Sequence, residues 1–593
     1  MALGQIVISL VWLLLSSPPV FAVGGSVAGL ALPNSCGDEV FSVMPSAANT
    51  KTNTTRIYAR TRVVADMQVR YSTFVNGPWT TRPAQTTTAN ALTVFDLPSL
   101  TPDTRYYYRV DCRLPAAGGT TPPWQSLPLQ TFKTLGTAGT PKTFTDVVTA
   151  DPHWVPALKD YFNCRADGTN LTPALSRGDD WNETSRANRE PREKAQRSMI
   201  QIGNLHPTNY FDLGDFYHTH SSGGSNDCVE SNVALGSGPA AVASTVQSRI
   251  QFALSEIYPA RAQSTFWLVR GNHDNSWGPN VNLSSSASSN ATCNHNNADS
   301  ALSIAQQDAH VPNANIAYPA VAQGADSGGS NYDEKAAFFA FNQAQVTYIA
   351  VNEYHYTCET PGSGGATVAC DSTTGLPNSH DDWTIGAIQR AWIDNMDAGE
   401  SDSLALGDVV VVMSHHPFGG TTTDIPNPGR SNCYYYGRAH PYGTVDGNLG
   451  SDWLGEEEWL HDKMAAWAAS GKTVIRLYGH DHRFGWLSSR DNVHYFVVGQ
   501  PGLGTSNWLS GVINLHQYKI DFDVDPQDGV LDWEVPSSQF YAPKSTDFDF
   551  TGFVKLNYYA DNATKVRLEW ADSEGSARWV YDIDVGNLSR LSP

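Results

Sequence analysis

From residue 36 to about 135 apolar and polar side chains alternate over short runs, as in Thr61-Arg62-Val63-Val64 and Met67-Gln68-Val69-Arg70-Tyr71, and turn residues separate the runs. Successive side chains of an extended chain point to opposite faces, so this pattern predicts strands, and with no helical period it predicts a small β-sandwich over 36–135. Residues 136–141 are rich in Gly, Thr and Pro and mark a boundary. After them the pattern changes to apolar runs at 144–148, 210–213, 266–269, 346–351, 409–413, 473–478 and 495–498, several ending in polar loops. Helical periods lie between them at 189–201, 240–257, 383–396 and 456–469. Alternation of this kind predicts an α/β domain with a substantial sheet over 142–510, whose ligands gather at strand ends. Two Ser/Gly/Asn-rich stretches, 221–238 and 277–300, read as surface loops. Short strands return after about 511 and predict a β-rich C-terminal extension or third module over 511–593.

Composition narrows the function classes. The chain has 593 residues, too many for one ordinary core, and its 40% hydrophobic content and 17 tryptophans suffice for packed interiors. A formal net charge of −21 argues against a nucleic-acid duplex as partner. An anionic substrate then needs help from metal. Residues 1–22 hold an apolar run, two prolines and a Val-Phe-Ala ending, which reads as a secretory signal cleaved after Ala22, although Met1 to Gln5 carry no Lys or Arg. The run is too short for a transmembrane anchor. The chain is therefore expected to be secreted, extracellular or periplasmic. Eight cysteines without a CxxC clip favour disulfides, with Cys358 and Cys370 close enough in sequence to pair. Seven sequons, among them Asn53 and Asn562, are glycosylation sites if the host glycosylates.

The candidate chemistry sits just after apolar runs, in five polar clusters: Asp151-Pro152-His153, Gly214-Asp215, Gly271-Asn272-His273-Asp274, His415-His416-Pro417 and Gly479-His480-Asp481-His482. Residues two apart on an extended chain share a face, so His480 and His482 can enter one pocket, and paired imidazoles are ordinary ligands of a borderline transition metal. A specified four-residue string arises by chance only roughly a few times in a thousand chains of this length, so the ordered set carries the inference. Phosphate-ester hydrolysis needs a nucleophile, neutralisation of the ester oxygens and in-line placement of the two. A pair of cations about 3.5–4 Å apart supplies all three, and a carboxylate is their natural bridge.

The order DxH, GD, GNHD, H, GHxH resembles the signature of calcineurin-like metallophosphoesterases, and 100–110, a Pro-led turn feeding an aromatic strand, resembles the fibronectin type III corner of the N-terminal module of purple acid phosphatases. The resemblance implies a calcineurin-like β-sandwich core flanked by helices, preceded by a small all-β fibronectin-like domain. It implies two divalent ions (Mn, Zn or Fe), one held by Asp151, His153, Asp215 and His482, the other by Asp215, Asn272, His415 and His480. His273 would then bind the phosphoryl oxygen and protonate the leaving group, with Asp274 holding its ring, and Asn272 would face the substrate too. His416 and His218 would stand behind these. Purple acid phosphatases carry GDxxY, but here Tyr217 comes one place early and His218 takes its position, so no ferric tyrosinate is expected. The activity implied is hydrolysis of a phosphomonoester by metal-bound hydroxide. The motifs do not separate this from a phosphodiesterase acting on cyclic nucleotides, glycerophosphodiesters or sphingomyelin-like lipids, and a binding protein on a degenerate hydrolase scaffold is the rival from another class.

Overall fold

Two mixed β-sheets, each with a run of parallel strands buried on both faces, carry the C-terminal strand ends where the polar clusters lie. The computed structural model describes residues 40–116, 119–152, 183–217, 239–271, 338–352, 386–396, 404–415, 450–479, 485–499, 552–583 and 587–590, with Cys36, Trp154, Asp274, His310, Val311 and Pro501. The expected leader, the loops 221–238 and 277–300, and the Cys358–Cys370 pairing lie outside the described residues.

The N-terminal strands are β1 (Phe41–Ala48), β2 (Thr55–Thr61), β3 (Asp66–Ser72), β4 (Thr80–Thr81), β5 (Gln85–Thr86), β6 (Leu92–Leu97), β7 (Arg105–Arg113), β8 (Gln125–Ser126) and β9 (Gln130–Lys133). They form one sheet in the order β1-β2-β6 and another in the order β4-β3-β7-β8, with β5 on β3 and β9 on β7. Alternation works as expected: Met67, Val69, Tyr108 and Val110 face a shared core with Ile57 and Phe95. At the Pro-led corner the Thr101 N–H donates to the Tyr106 hydroxyl at 2.9 Å. A disulfide joins Cys36 to Cys112 across 76 residues; closing a loop of that length is worth about 4 kcal/mol on a chain-entropy basis. Thr50 and Thr265 share a 2.8 Å hydroxyl contact, and the buried Arg261 donates to Ser46 Oγ (2.7 Å) and the Met44 carbonyl (2.9 Å), fastening this module to the α/β part of the chain.

The second part runs β10 (Phe144–Thr149), α1 (Glu183–Leu205), β11 (Asn209–Asp212), α2 (Pro239–Glu256), α3 (Tyr258–Arg261), β12 (Thr265–Leu268), β13 (Phe339–Gln343), β14 (Val346–Ala350), α4 (Gly386–Asp394), β15 (Val409–Met413), α5 (Gly450–Ala469), β16 (Thr473–Tyr478), β17 (Gly485–Arg490), β18 (Val493–Val497), β19 (Gly552–Tyr558), β20 (Val566–Asp572), β21 (Ala577–Asp582) and β22 (Asn587–Arg590). One sheet has the order β12-β11-β10-β19-β20-β21-β22 and the other β13-β14-β15-β16-β18-β17. Phe144, Val148, Phe211 and Trp267 of the first meet Phe341, Tyr348, Val411 and Leu477 of the second. Met199, Ile202 and Ile250 cover the outer face of one sheet, and Trp392, Leu460 and Met464 cover the other. Burial on both faces is why 409–413 reads Val-Val-Val-Val-Met with no alternation.

All seven strands expected from the apolar runs are present. β13 and β17 were not expected, because each is an outer antiparallel strand of its sheet and carries a weaker apolar signal. Within 511–593 the described strands begin at β19. β19 pairs antiparallel with β10, and β20, β21 and β22 follow it edge to edge, so these strands extend the site-bearing sheet rather than build a sheet of their own.

A carboxylate lies between the sheets. Asp146 is fully buried and accepts from the Tyr348 hydroxyl, from Asn209 N (2.8 Å) and from Asn209 Nδ2 (3.2 Å). Burial pushes it up to about 6, against the pull of these donors. A raised carboxyl binds more protons when folded, so its contribution is greatest below about pH 4 and is lost as pH rises through 6. The chain is expected to lose roughly 3 kcal/mol of stability across that window relative to Asp146→Asn, by urea denaturation at a series of pH values. Parallel pH profiles for the two would remove the carboxylate as the cause.

Candidate metal centre

Each described cluster follows the C-terminal end of a parallel strand: Asp151 after β10, Asp215 after β11, Asp274 after β12, His415 after β15 and Gly479 after β16. A strand that ends abruptly can turn a polar side chain across its neighbours' ends. Asp151 (φ 54°) and Asp215 (φ 52°) do so in the left-handed region. That conformation costs a non-glycine residue about 1–3 kcal/mol and is characteristic of functional sites. Gly214 (φ 101°) makes the turn before Asp215, and its carbonyl accepts the Asp151 N–H at 2.9 Å.

Asp151, Asp215 and His415 converge, all buried, with one ligand atom from each inside a 4.8 Å span. His415 Nε2 lies 3.2 Å from Asp215 Oδ2 and 3.8 Å from Asp151 Oδ1. Its Nδ1 donates to the Leu213 carbonyl at 2.8 Å, which fixes the tautomer that turns Nε2 inward. Burial opposes a charge on this ring, but Asp215 foremost, then Asp151 and the Leu213 carbonyl, outweigh it and push its pKa up to about 10. The imidazolium thus stands where the two carboxylates call for a cation. Gly479 closes the floor: a Cβ there would come within 2.9 Å of Asp151 Oδ2 and 3.2 Å of His415 Nδ1.

The donor set fits a metal. Two fully buried carboxylates are costly without a compensating cation, and a carboxylate–imidazole set of this kind suits Mn, Zn or Fe(II). The structure brings Asp151, Asp215 and His415 together. His153, Asn272, His273, His416, His480, His482 and His218 lie outside the described residues.

Asp274 is described, and its carboxylate spans two backbones. Oδ2 accepts from Gly271 N at 2.8 Å and Oδ1 from Tyr217 N at 3.1 Å, tying the loop after β12 to the loop after β11. Burial, then the charge of Asp215, pushes it up to about 7.

Sequence reasoning missed Asp212, which sits inside an apolar run. It is fully buried, accepts from the Thr149 hydroxyl (2.8 Å) and from Gly214 N (3.1 Å), and so braces the turn that aims Asp215. A carboxylate ending an otherwise apolar strand was the available signal. Asp212→Leu is expected to weaken metal affinity roughly 10–100-fold, whereas Asp212→Asn, which keeps the acceptor, stays within about tenfold. Metal titration of both variants checks this; equal affinities in the two would remove the brace.

No family model and no curated protein matches the chain. Among solved structures it is similar to a structure of PhoD, with a TM-score of 0.53, 13% identity, 95% of this chain covered and 94% of that one. It is also similar to purple acid phosphatase PPD1 from yellow lupin (Lupinus luteus) seeds, with a TM-score of 0.45, 15% identity, and 91% and 73% covered. A dimetal phosphatase from Danio rerio follows at 0.32, 11% identity, and 72% and 96% covered. At such identities the first likeness concerns the fold alone, and the fold is the calcineurin-like metallophosphoesterase fold that the motif order implied.

Proposed function

We propose that the chain is an exported metal-dependent phosphoric ester hydrolase that cleaves a phosphomonoester. The observation that carries this reading is the buried meeting of Asp151, Asp215 and His415 from three strand ends. Asp215 would bridge two divalent ions, with Asp151, His153 and His482 on one side and Asn272, His415 and His480 on the other. When bound, such a pair neutralises the ester's negative oxygens and acidifies water.

The chain's own groups do the rest. The Leu213 carbonyl keeps His415 Nε2 free to ligate, at the cost of the proton this ring otherwise holds, so metal uptake releases protons. Asp274 sets the spacing of the loop that carries Asn272 and His273. His273, in this reading, binds a phosphoryl oxygen and gives its proton to the leaving oxygen, a step worth about 10²–10⁴-fold. The 142–510 stretch is the catalytic domain, and 36–135 is a fibronectin-like module beside it.

The test is hydrolysis of an aryl phosphate and a bis-aryl phosphate by the chelated chain, resupplied with Mn, Zn or Fe(II) in turn. Turnover is expected to vanish with chelator, return with metal and favour the monoester. Preference for the diester would replace the substrate class. Turnover indifferent to chelator would sink the metal-dependent reading.

A further inference from the structure

The N-terminal module differs in charge from the rest of the chain. Residues 36–135 hold ten Lys and Arg against six Asp and Glu, in a chain with 38 against 59. Among the described residues only four large apolar side chains are exposed, and two of them are neighbours on one loop: Phe74, 65% exposed, and Val75, 46%. This loop, 73–79, joins β3 to β4 and is a shaped turn, with Phe74 N donating to Ser72 Oγ (3.0 Å) and Gly77 N to the Phe74 carbonyl (3.1 Å).

Cations stand behind the apolar tip. Arg70 and Arg109 are directly opposite in the β3–β7 register, and both guanidinium groups lie 5.9 Å from the Trp79 ring. Like charges in cross-strand register repel. Asp111 takes up Arg70 through two hydrogen bonds, 2.5 and 2.7 Å, but among the described residues Arg109 has no carboxylate partner. The loop thus presents two apolar side chains in water with positive charge beside them. The hydrogen bonds that join the module to the core run instead through residues such as Met44, Ser46, Thr50, Arg105, Gln130 and Thr131.

We propose that loop 73–79 docks the chain on an anionic lipid surface, with Phe74 and Val75 entering the acyl boundary and Arg109 meeting the headgroups. Apolar insertion combined with attraction to anionic lipid is the ordinary physics of peripheral binding. Two side chains are too few for the core of a stable protein interface. An acidic polysaccharide would stack on ring faces, but Trp79 and Trp124 each have a face already taken by arginine, Arg113 lying 4.4 Å from the Trp124 ring.

The experiment is co-sedimentation of the full chain with phosphatidylcholine vesicles, with and without phosphatidylserine. Binding is expected with the anionic lipid and not without it, falling about tenfold or more in Phe74→Ser/Val75→Ser and in Arg109→Glu. Hydrolysis of a soluble aryl phosphate should be the same in all three proteins, which separates docking from the proposed catalysis. Failure to bind anionic vesicles overturns the proposal, and so does equal binding by the serine variant. Variant-sensitive binding to a soluble acidic polysaccharide in place of vesicles overturns it in favour of a glycan.

Discussion

Asp215→Asn is expected to leave a folded chain that binds little metal and hydrolyses phosphate esters at least about a thousandfold more slowly. The carboxylate has the shortest contact to His415 Nε2 in the cluster, 3.2 Å, and is the bridging group in the proposed site. A single well-placed electrostatic contact is worth about 10²–10³ in rate, and a bridging ligand serves two ions. The amide fills the same space, so packing around Gly214 and Gly271 survives. In the metal-free chain Asp215 is paired at 3.2 Å with the His415 imidazolium, and losing one member of a buried pair is destabilising, so the metal-free variant should melt below the metal-free parent. The His415 pKa, held up mainly by Asp215 against burial, should fall in the variant, which its imidazole resonances would report. Wild-type turnover by Asp215→Asn would refute the bridging role; lost turnover with lost fold would make the residue structural.

The legible parts of this chain were those decided locally. An apolar run such as 473–478 can only be a buried strand or helix, and a polar cluster directly after it sits where a parallel sheet exposes its ends. Asp151, Asp215 and His415 could therefore be named before their contacts were known. What escaped was decided by distant partners. Gly552–Tyr558 reads as one more short strand, and nothing local says that it pairs with Phe144–Thr149, some four hundred residues earlier. The bracing role of Asp212 depends on a turn that begins two residues on and on Thr149 from another strand. Asp274 was expected to hold an imidazole, and its two backbone partners could not be read from a motif that fixes residue types but not which N–H groups converge. Phe74 and Val75 look like any apolar pair until their neighbours are known to bury and they are not.

Gly271→Ala is expected to cost about 1–3 kcal/mol of stability and about a hundredfold or more in turnover. The loops after β11 and β12 pack backbone against backbone here. A Cβ on Gly271 would fall inside contact distance of the Asp215 amide nitrogen and Oδ1, and one on Gly214 would come within 2.5 Å of Gly271 N. The nearest of these atoms, Asp215 N and Gly271 N, belong to the backbone, so the strand ends must part. Overpacking of that kind costs about 1–3 kcal/mol. Parting them also stretches the Gly271 N–H to Asp274 bond and shifts Asp215, and a displacement near 1 Å in such an array costs about a hundredfold in rate. Gly471→Ala is the control. Gly471 has φ 92°, yet a Cβ there meets nothing within 4 Å, so the substitution carries only left-handed strain of about 1–2 kcal/mol and should leave turnover unchanged. Denaturant midpoints and initial rates on an aryl phosphate, measured for both variants, separate the two costs. Equal turnover in the two alanine variants would mean that the close approach of Gly271 to Asp215 does not set the geometry of the site.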